Sequence, residues 1–273
     1  MKFEPITPER FANTRIGRQT GWQHAAGLPV VPIAHGELAK VAAHYPICFA
    51  KLAANRPPVP CAALGLEGQK NAFVGPDGRW RGGYIPAMIR RYPFSMIKAQ
   101  ADGSAGEKER LAVLIDVESD MLLEAPAEGQ ALFDENGQKT EYFEKTLSFL
   151  TQVHRQLQRL EDLGAAIAEA GILEPVTIGR PEEISEQESW APLQGIQRVN
   201  EGKLNALSDD AFLDLRRKGA LSVVYLSLGT SGQWEKLRSF HILARRGAAR
   251  AAEESDGIDL EGDEEDFVLS FES

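Results

Sequence analysis

The densest set of chemically capable side chains lies in residues 77–94, DGRWRGGYIPAMIRRYPF. Arg79, Arg81, Arg90 and Arg91 are interleaved there with Trp80, Tyr84, Tyr92 and Phe94. A guanidinium offers a planar fork of donors to an acidic partner, and aromatic rings offer large rigid contact area. Together they are the composition of a protein-binding hot spot. The competing reading is a core edge, in which the rings pack inward and the arginine stems cover them. A second candidate is Asp266-Phe267-Val268-Leu269-Ser270-Phe271, whose aromatic and aliphatic residues sit within an acidic stretch as a short linear motif would. The alternative there is a solubilising tail with an idle apolar tip. The binding candidates are therefore Arg79, Trp80, Tyr84, Arg90, Arg91 and Tyr92 in the first segment, and Phe267 and Phe271 in the second.

No catalytic set assembles from motif spacing. His24, His35, His44, His154 and His241 form no HExxH and no zinc-finger pattern. His35-Gly36-Glu37 with a later histidine formally fits a two-His-one-carboxylate iron site, but the pair lies in a Gly/Pro-broken stretch. His154 and His241 read as packed histidines on helix faces. Asp116, Glu118 and Asp120 alternate after an apolar run and could present carboxylates to a hard cation. Cys48 and Cys61 sit in apolar runs with no adjacent base or cation to lower a thiol pKa. There is no GxSxG elbow, Walker loop or GxGxxG. No metal or cofactor is expected, with a metal-dependent accessory enzyme using Asp116, Glu118 or a histidine as the alternative.

Charge is uneven along the 273 residues. The formal net charge is −10, and residues 251–273 alone hold ten Asp and Glu with no Lys or Arg, leaving thirty of each sign in residues 1–250. A neutral body lacks the clustered Lys and Arg that phosphate-backbone binding requires, so no nucleic-acid partner is expected. A segment as acidic as the tail cannot bury enough apolar surface to offset its ordering entropy and reads as disordered. The longest apolar stretch, 220–228, is far short of the about 20 residues of a membrane span. The N-terminal residues are charged and proline-bearing where a secretory signal is apolar. Two cysteines make no disulfide framework. These features indicate a cytoplasmic protein.

The elements that must position the candidates are α+β. Residues 1–40 are polar and Pro/Gly-broken, an irregular lead-in. Short apolar runs at 46–52, 59–66, 71–74 and 111–115 read as strands of a mainly antiparallel sheet, with a turn at Gly75-Pro76-Asp77-Gly78. Leu147, Leu150, Val153, Leu157, Leu160 and Ile167 step by three and four, giving a long amphipathic helix over 143–167 that Gly171 ends. Short strands follow near 173–178 and 195–199. Ser208-Asp209-Asp210 opens a helix that Arg216-Arg217-Lys218-Gly219 closes. A last helix starts at Thr230 or Ser231 and is closed by Arg245-Arg246-Gly247. The expected organisation is a lead-in over 1–40, one domain over 41–247 and a disordered acidic tail over 248–273.

The same central segment carries a family resemblance. Asp77-Gly78-Arg79-Trp80, Tyr84-Ile85-Pro86-Ala87 and Arg90-Arg91-Tyr92-Pro93-Phe94 resemble the signature of the SapC family of bacterial proteins. So do Tyr45-Pro46-Ile47-Cys48-Phe49-Ala50-Lys51, Leu132-Phe133-Asp134-Glu135-Asn136-Gly137 and Gly171-Ile172-Leu173-Glu174-Pro175. The likeness spans about residues 20–245 and leaves the tail out. It implies a role linked to nutrient uptake or to processing of a partner, since such proteins neighbour outer-membrane receptors and oxygenase-like proteins. The family name also implies a surface-layer association, so the alternatives to a binding module are an oxygenase-associated accessory enzyme or a surface-layer component exported without a cleaved signal. The resemblance carries no catalytic residues over. The functional expectation is a non-enzymatic module that binds a protein or peptide through the 80–94 surface, with the tail as a second contact.

Overall fold

The computed structural model describes residues 1–98, 111–125 and 127–256, with side chains described as far as residue 248. The central sheet has five antiparallel strands in the order β10 (Leu173–Pro175), β11 (Ile196–Val199), β4 (Ile47–Ala50), β5 (Val59–Ala63) and β3 (Val30–Pro32). Strands β4 and β5 are apolar on both faces because both faces are covered, and every residue of β5 is buried. Two smaller antiparallel sheets flank it. One orders β1 (Phe3–Pro5), β7 (Leu111–Asp116) and β6 (Phe94–Lys98). The other orders β8 (Leu122–Glu124), β2 (Thr14–Ile16) and β9 (Gln130–Ala131).

Helices α1 (Pro8–Phe11), α2 (Leu38–Ala42) and α3 (Ala87–Arg90) are short and lie among the strands. Helix α4 (Glu141–Glu169) is capped by the Thr140 hydroxyl, which accepts from the Phe143 N–H, and stops before Gly171, whose φ is +70°. Its 29 residues make it about 44 Å long at 1.5 Å per residue, enough to serve two cores. Phe143 and Leu150 enter a smaller core with Phe11, Phe94 and Ile115, while Leu160, Leu163 and Ile167 enter the main core under the central sheet. The C-terminal part adds α5 (Glu201–Asn205), α6 (Asp209–Lys218), α7 (Leu221–Gly229) and α8 (Gln233–Asp256). The ends of α6 follow the expected logic: Ser208 Oγ accepts from the Ala211 N–H, and Gly219 takes a φ of +79°.

Three expectations are corrected. Residues 1–40 are not an irregular lead-in: they supply one strand to each of the three sheets. Those strands are three residues long, too short to leave a periodic signal. Residues 71–74 are not a strand, because only Val74 pairs, in a single bridge to Trp80 across the 75–78 turn. The last helix does not close at Gly247 but continues to Asp256, which shortens the proposed tail. Residues 257–273, with Phe267 and Phe271, lie outside the described residues. The outcome is an α+β protein with antiparallel sheets in its N-terminal half and a helical C-terminal part.

Candidate functional site

The turn at 75–78 and the approach to α3 build an open cleft of about 630 Å³. Gly78, with a φ of +74°, lets the chain reverse, and Asp77 Oδ1 accepts from the Arg79 N–H at 3.1 Å. The Gly78 carbonyl accepts from the Trp22 N–H at 2.7 Å, which fixes the N-terminal segment as the opposite wall. The cleft is lined by Trp22, Trp80, Tyr84, Lys40, Arg79 and Arg90, among others, and, among the described residues, by no carboxylate. Thus the structure brings together four of the sequence candidates, Arg79, Trp80, Tyr84 and Arg90.

Each ring is held from behind. The Trp80 Nε1–H faces two acceptors, the Tyr84 carbonyl at 3.0 Å and the Tyr45 hydroxyl oxygen at 3.1 Å. The Tyr45 hydroxyl itself donates to the Tyr84 carbonyl. Phe73 stacks beneath Trp80 at 6.0 Å between ring centroids. Gly82 has no room for a side chain: a Cβ there would overlap the Tyr45 hydroxyl and crowd the Trp80 indole nitrogen. Trp80 and Tyr84 are therefore core-edge residues that also border the cleft. One edge is locked into the core, and the rest faces the cleft.

The positive charge is anchored by one buried carboxylate. Glu37 is 5% exposed and accepts from the Ala34 N–H at 3.0 Å, the Ala87 N–H at 2.8 Å and the Tyr84 hydroxyl at 2.8 Å. Arg90 Nη2 lies 3.7 Å from Glu37 Oε2 and donates to the Tyr84 hydroxyl at 3.1 Å. Its guanidinium carbon stands 5.6 Å from the centres of both the Tyr84 and Phe149 rings, and Lys40 Nζ stands 5.9 Å from Tyr84. Burial, and then the bond to Glu37, raise the Tyr84 pKa, while burial pushes Tyr45 up to about 12. Both phenols keep their protons at neutral pH. The cleft thus presents cations and aromatic faces.

The remaining candidates lie elsewhere. Arg91 is half-buried beyond the end of α3, where burial lowers its pKa. Tyr92 stacks on His24 at 3.9 Å and 9°, and its hydroxyl donates to Asp116 Oδ2 at 3.1 Å. Phe94 is buried in the smaller core. The 80–94 run is therefore one cleft wall followed by core, not a continuous surface. Two wall residues, Trp22 and Lys40, went unnoticed in the sequence. A tryptophan in the polar, Gly-bearing stretch Gln19-Thr20-Gly21-Trp22 was the available signal; Lys40 had none.

The alternative chemical sites are occupied by structure. Glu37 serves backbone amides and Tyr84, whereas His35 is exposed. Asp116 is buried, accepting from the Lys2 N–H at 2.7 Å and from Tyr92, and Glu118 pairs with the N-terminal amine at 2.9 Å. Among the described residues, no three His, Cys, Asp or Glu side chains converge as metal ligands. Cys48 and Cys61 are fully buried, directly opposite each other on β4 and β5. Burial pushes Cys48 up to about 12 and Cys61 also well above the ordinary thiol range. A larger cavity of about 810 Å³ lies between residues 176–182 and the start of α8. Two of its arginines are already neutralised, Arg198 by Glu174 at 2.8 Å and Arg238 by Glu183 at 2.7 Å. The smaller cleft has the less compensated charge.

Fold and cleft define an α+β protein with a cationic, aromatic groove on its N-terminal half. The SapC family model matches residues 6–237, so the chain belongs to the SapC family. The match begins ahead of residue 20, consistent with strands from the first residues being part of the fold. No curated protein and no solved structure matches the chain.

Proposed function

We propose that this SapC-family protein is a binding module that takes an acidic, aromatic-bearing segment of a partner protein into the Trp22–Trp80–Tyr84 cleft. The observation that carries this reading is the cleft lining: Lys40, Arg79 and Arg90 beside three aromatic rings, with no lining carboxylate among the described residues. Arginine forks match carboxylates, and the rings supply desolvated contact area, the two ingredients of interface anchors. The protonated phenols and the absence of a base in the lining favour binding over turnover. The neutral body speaks against a nucleic-acid partner. The neighbourhood implied by the family resemblance makes an uptake receptor or a partner undergoing processing the class to look for.

A cytoplasmic location is part of the same proposal. Among the described residues no helix is long and apolar enough to cross a membrane. Cys48 and Cys61 stand opposite each other as free thiols, which suits a reducing compartment.

Quantitative co-purification from the protein's own cells tests the proposal, comparing the natural chain with Arg79→Ser/Arg90→Ser. Both arginines are exposed, and an unchanged melting temperature checks that the variant keeps its fold. The expected result is a partner that carries an acidic aromatic segment and is lost from the variant. A partner retained equally by both chains contradicts the assignment.

A further inference from the structure

Helix α8 packs on the ring behind Trp80 and precedes the most acidic part of the chain. Phe240 packs on Phe73 at 4.8 Å between centroids, and Phe73 is the ring stacked beneath Trp80. From Phe240, sixteen residues of helix lead to Asp256, about 24 Å at 1.5 Å per residue. Residues 257–267 cover up to about 36 Å when extended, so Phe267 can return from the helix end to the Trp80 cleft.

The chemistry matches in both charge and shape. Residues 257–273 hold seven acidic residues, no Lys or Arg, and the sequence Asp266-Phe267-Val268-Leu269-Ser270-Phe271. The arginines of α8 that face the body are already engaged, Arg238 by Glu183 and Glu235, and Arg245 by Glu67 and Glu188. In the cleft, Lys40 and Arg90 stand over Tyr84, and Arg79 meets Asp77 only at 3.8 Å with its side chain 83% exposed.

We propose that residues 263–271, through Phe267 and Phe271, are an internal occupant of the cleft and restrain the partner by competing for it. This rests on the cleft being a site for acidic aromatic segments. A tether of this length supplies an effective concentration on the order of millimolar. A contact far too weak to hold between separate molecules therefore suffices within one chain. The partner must then displace the tail, and raising salt opens the cleft because these charges are screened over about 10 Å at 0.1 M.

The test uses the full chain with a nitroxide at Ser270→Cys. Cys48 and Cys61 are wholly buried and escape the label. The four tryptophans give four indole N–H signals, two of them, Trp22 and Trp80, in the cleft. The expected result is that Trp22 and Trp80 broaden several-fold more than Trp190 and Trp234, and that Phe267→Ala/Phe271→Ala removes the difference. Equal broadening, or broadening strongest at Trp190, overturns the proposal. Adding free peptide of residues 257–273 separates it from the reading it rests on. If Trp80 shifts with peptide but never broadens from the label, the cleft remains a site and the tail is not its occupant. If neither occurs, both fail.

Discussion

Glu37 and Tyr84 tie the cleft wall to the fold's interior: the phenol donates to a carboxylate oxygen that also accepts from the Ala87 N–H, each at 2.8 Å. Through this oxygen the His35–Glu37 turn, the first residue of α3 and the Tyr84 ring become one unit. Arg90 lies over that ring, so its position is set by a residue more than fifty positions away in sequence. A rigid aromatic-arginine wall loses little entropy on binding, which is what preorganisation contributes to affinity.

Removing that carboxylate should therefore cost both stability and wall geometry. Glu37→Gln keeps the shape but replaces an acceptor with an amide that cannot serve all its donors. We expect a loss of about 1–3 kcal/mol, the cost of leaving a buried polar group unsatisfied, and about 1 kcal/mol for Tyr84→Phe. Urea unfolding with an unchanged slope checks both.

Gly164 offers a case where helix propensity has the wrong sign. Replacing a mid-helix glycine by alanine ordinarily stabilises by about 1 kcal/mol. In α4, however, a Cβ at Gly164 would overlap the Pro58 carbonyl oxygen and press on Val59 Cα. Backbone cannot step aside as a side chain can, so Gly164→Ala should destabilise by about 1–3 kcal/mol. A higher melting temperature for this variant would show that α4 does not rest on the start of β5.

Much of this architecture was legible in the sequence, and the boundary of legibility is physical. The three-and-four spacing from Leu147 to Ile167, the Ser208 cap and the Gly219 stop each act locally, and each gave its element correctly. The strands of residues 1–40 exist only because long-range partners complete them, as in the pairing of Phe3 with Asp116 and of Thr14 with Glu124. The composition of the 77–94 segment pointed to Arg79, Trp80, Tyr84 and Arg90. Periodicity could not show that Tyr92 and Phe94 turn into core, because that depends on His24 and Asp116 meeting Tyr92, and Ile115 meeting Phe94, in space.

The pin that holds α8 to the body predicts acid sensitivity. Glu67 is buried, and burial alone would raise its pKa, but Arg245 and Lys70 outweigh this and hold it at about 2. His241, also buried, has its Nε2 3.0 Å from Glu67 Oε2. Burial lowers its pKa below the ordinary 6.5, outweighing the opposing pull of Glu67. The unfolded chain therefore binds protons on both groups at higher pH than the folded chain does. Stability is full above about pH 6.5, falls as His241 becomes the first group at a disadvantage, and falls again from about pH 4.5 toward 2 as Glu67 does. Melting temperatures from pH 7 to 5 should drop for the natural chain, and His241→Gln should reduce that step, leaving the part due to His24, whose pKa burial also lowers.

The opposed thiols predict inertness. With both cysteines fully buried and their pKa values raised, neither should react with iodoacetamide in the native state, and both should react in denaturant. Native-state alkylation of Cys48 would mean that the β4–β5 pair opens.

The central claim is that acidic aromatic segments enter the Trp22–Trp80–Tyr84 cleft. It is tested most directly by titrating the full chain with a peptide rich in Asp and Glu and bearing two Phe, while following the four indole N–H signals. The account predicts that Trp22 and Trp80 shift, that Trp190 and Trp234 stay, and that Arg79→Ser/Arg90→Ser weakens the response at least tenfold. A shift confined to Trp234, which lines the larger cavity, or no shift at any indole, would contradict it.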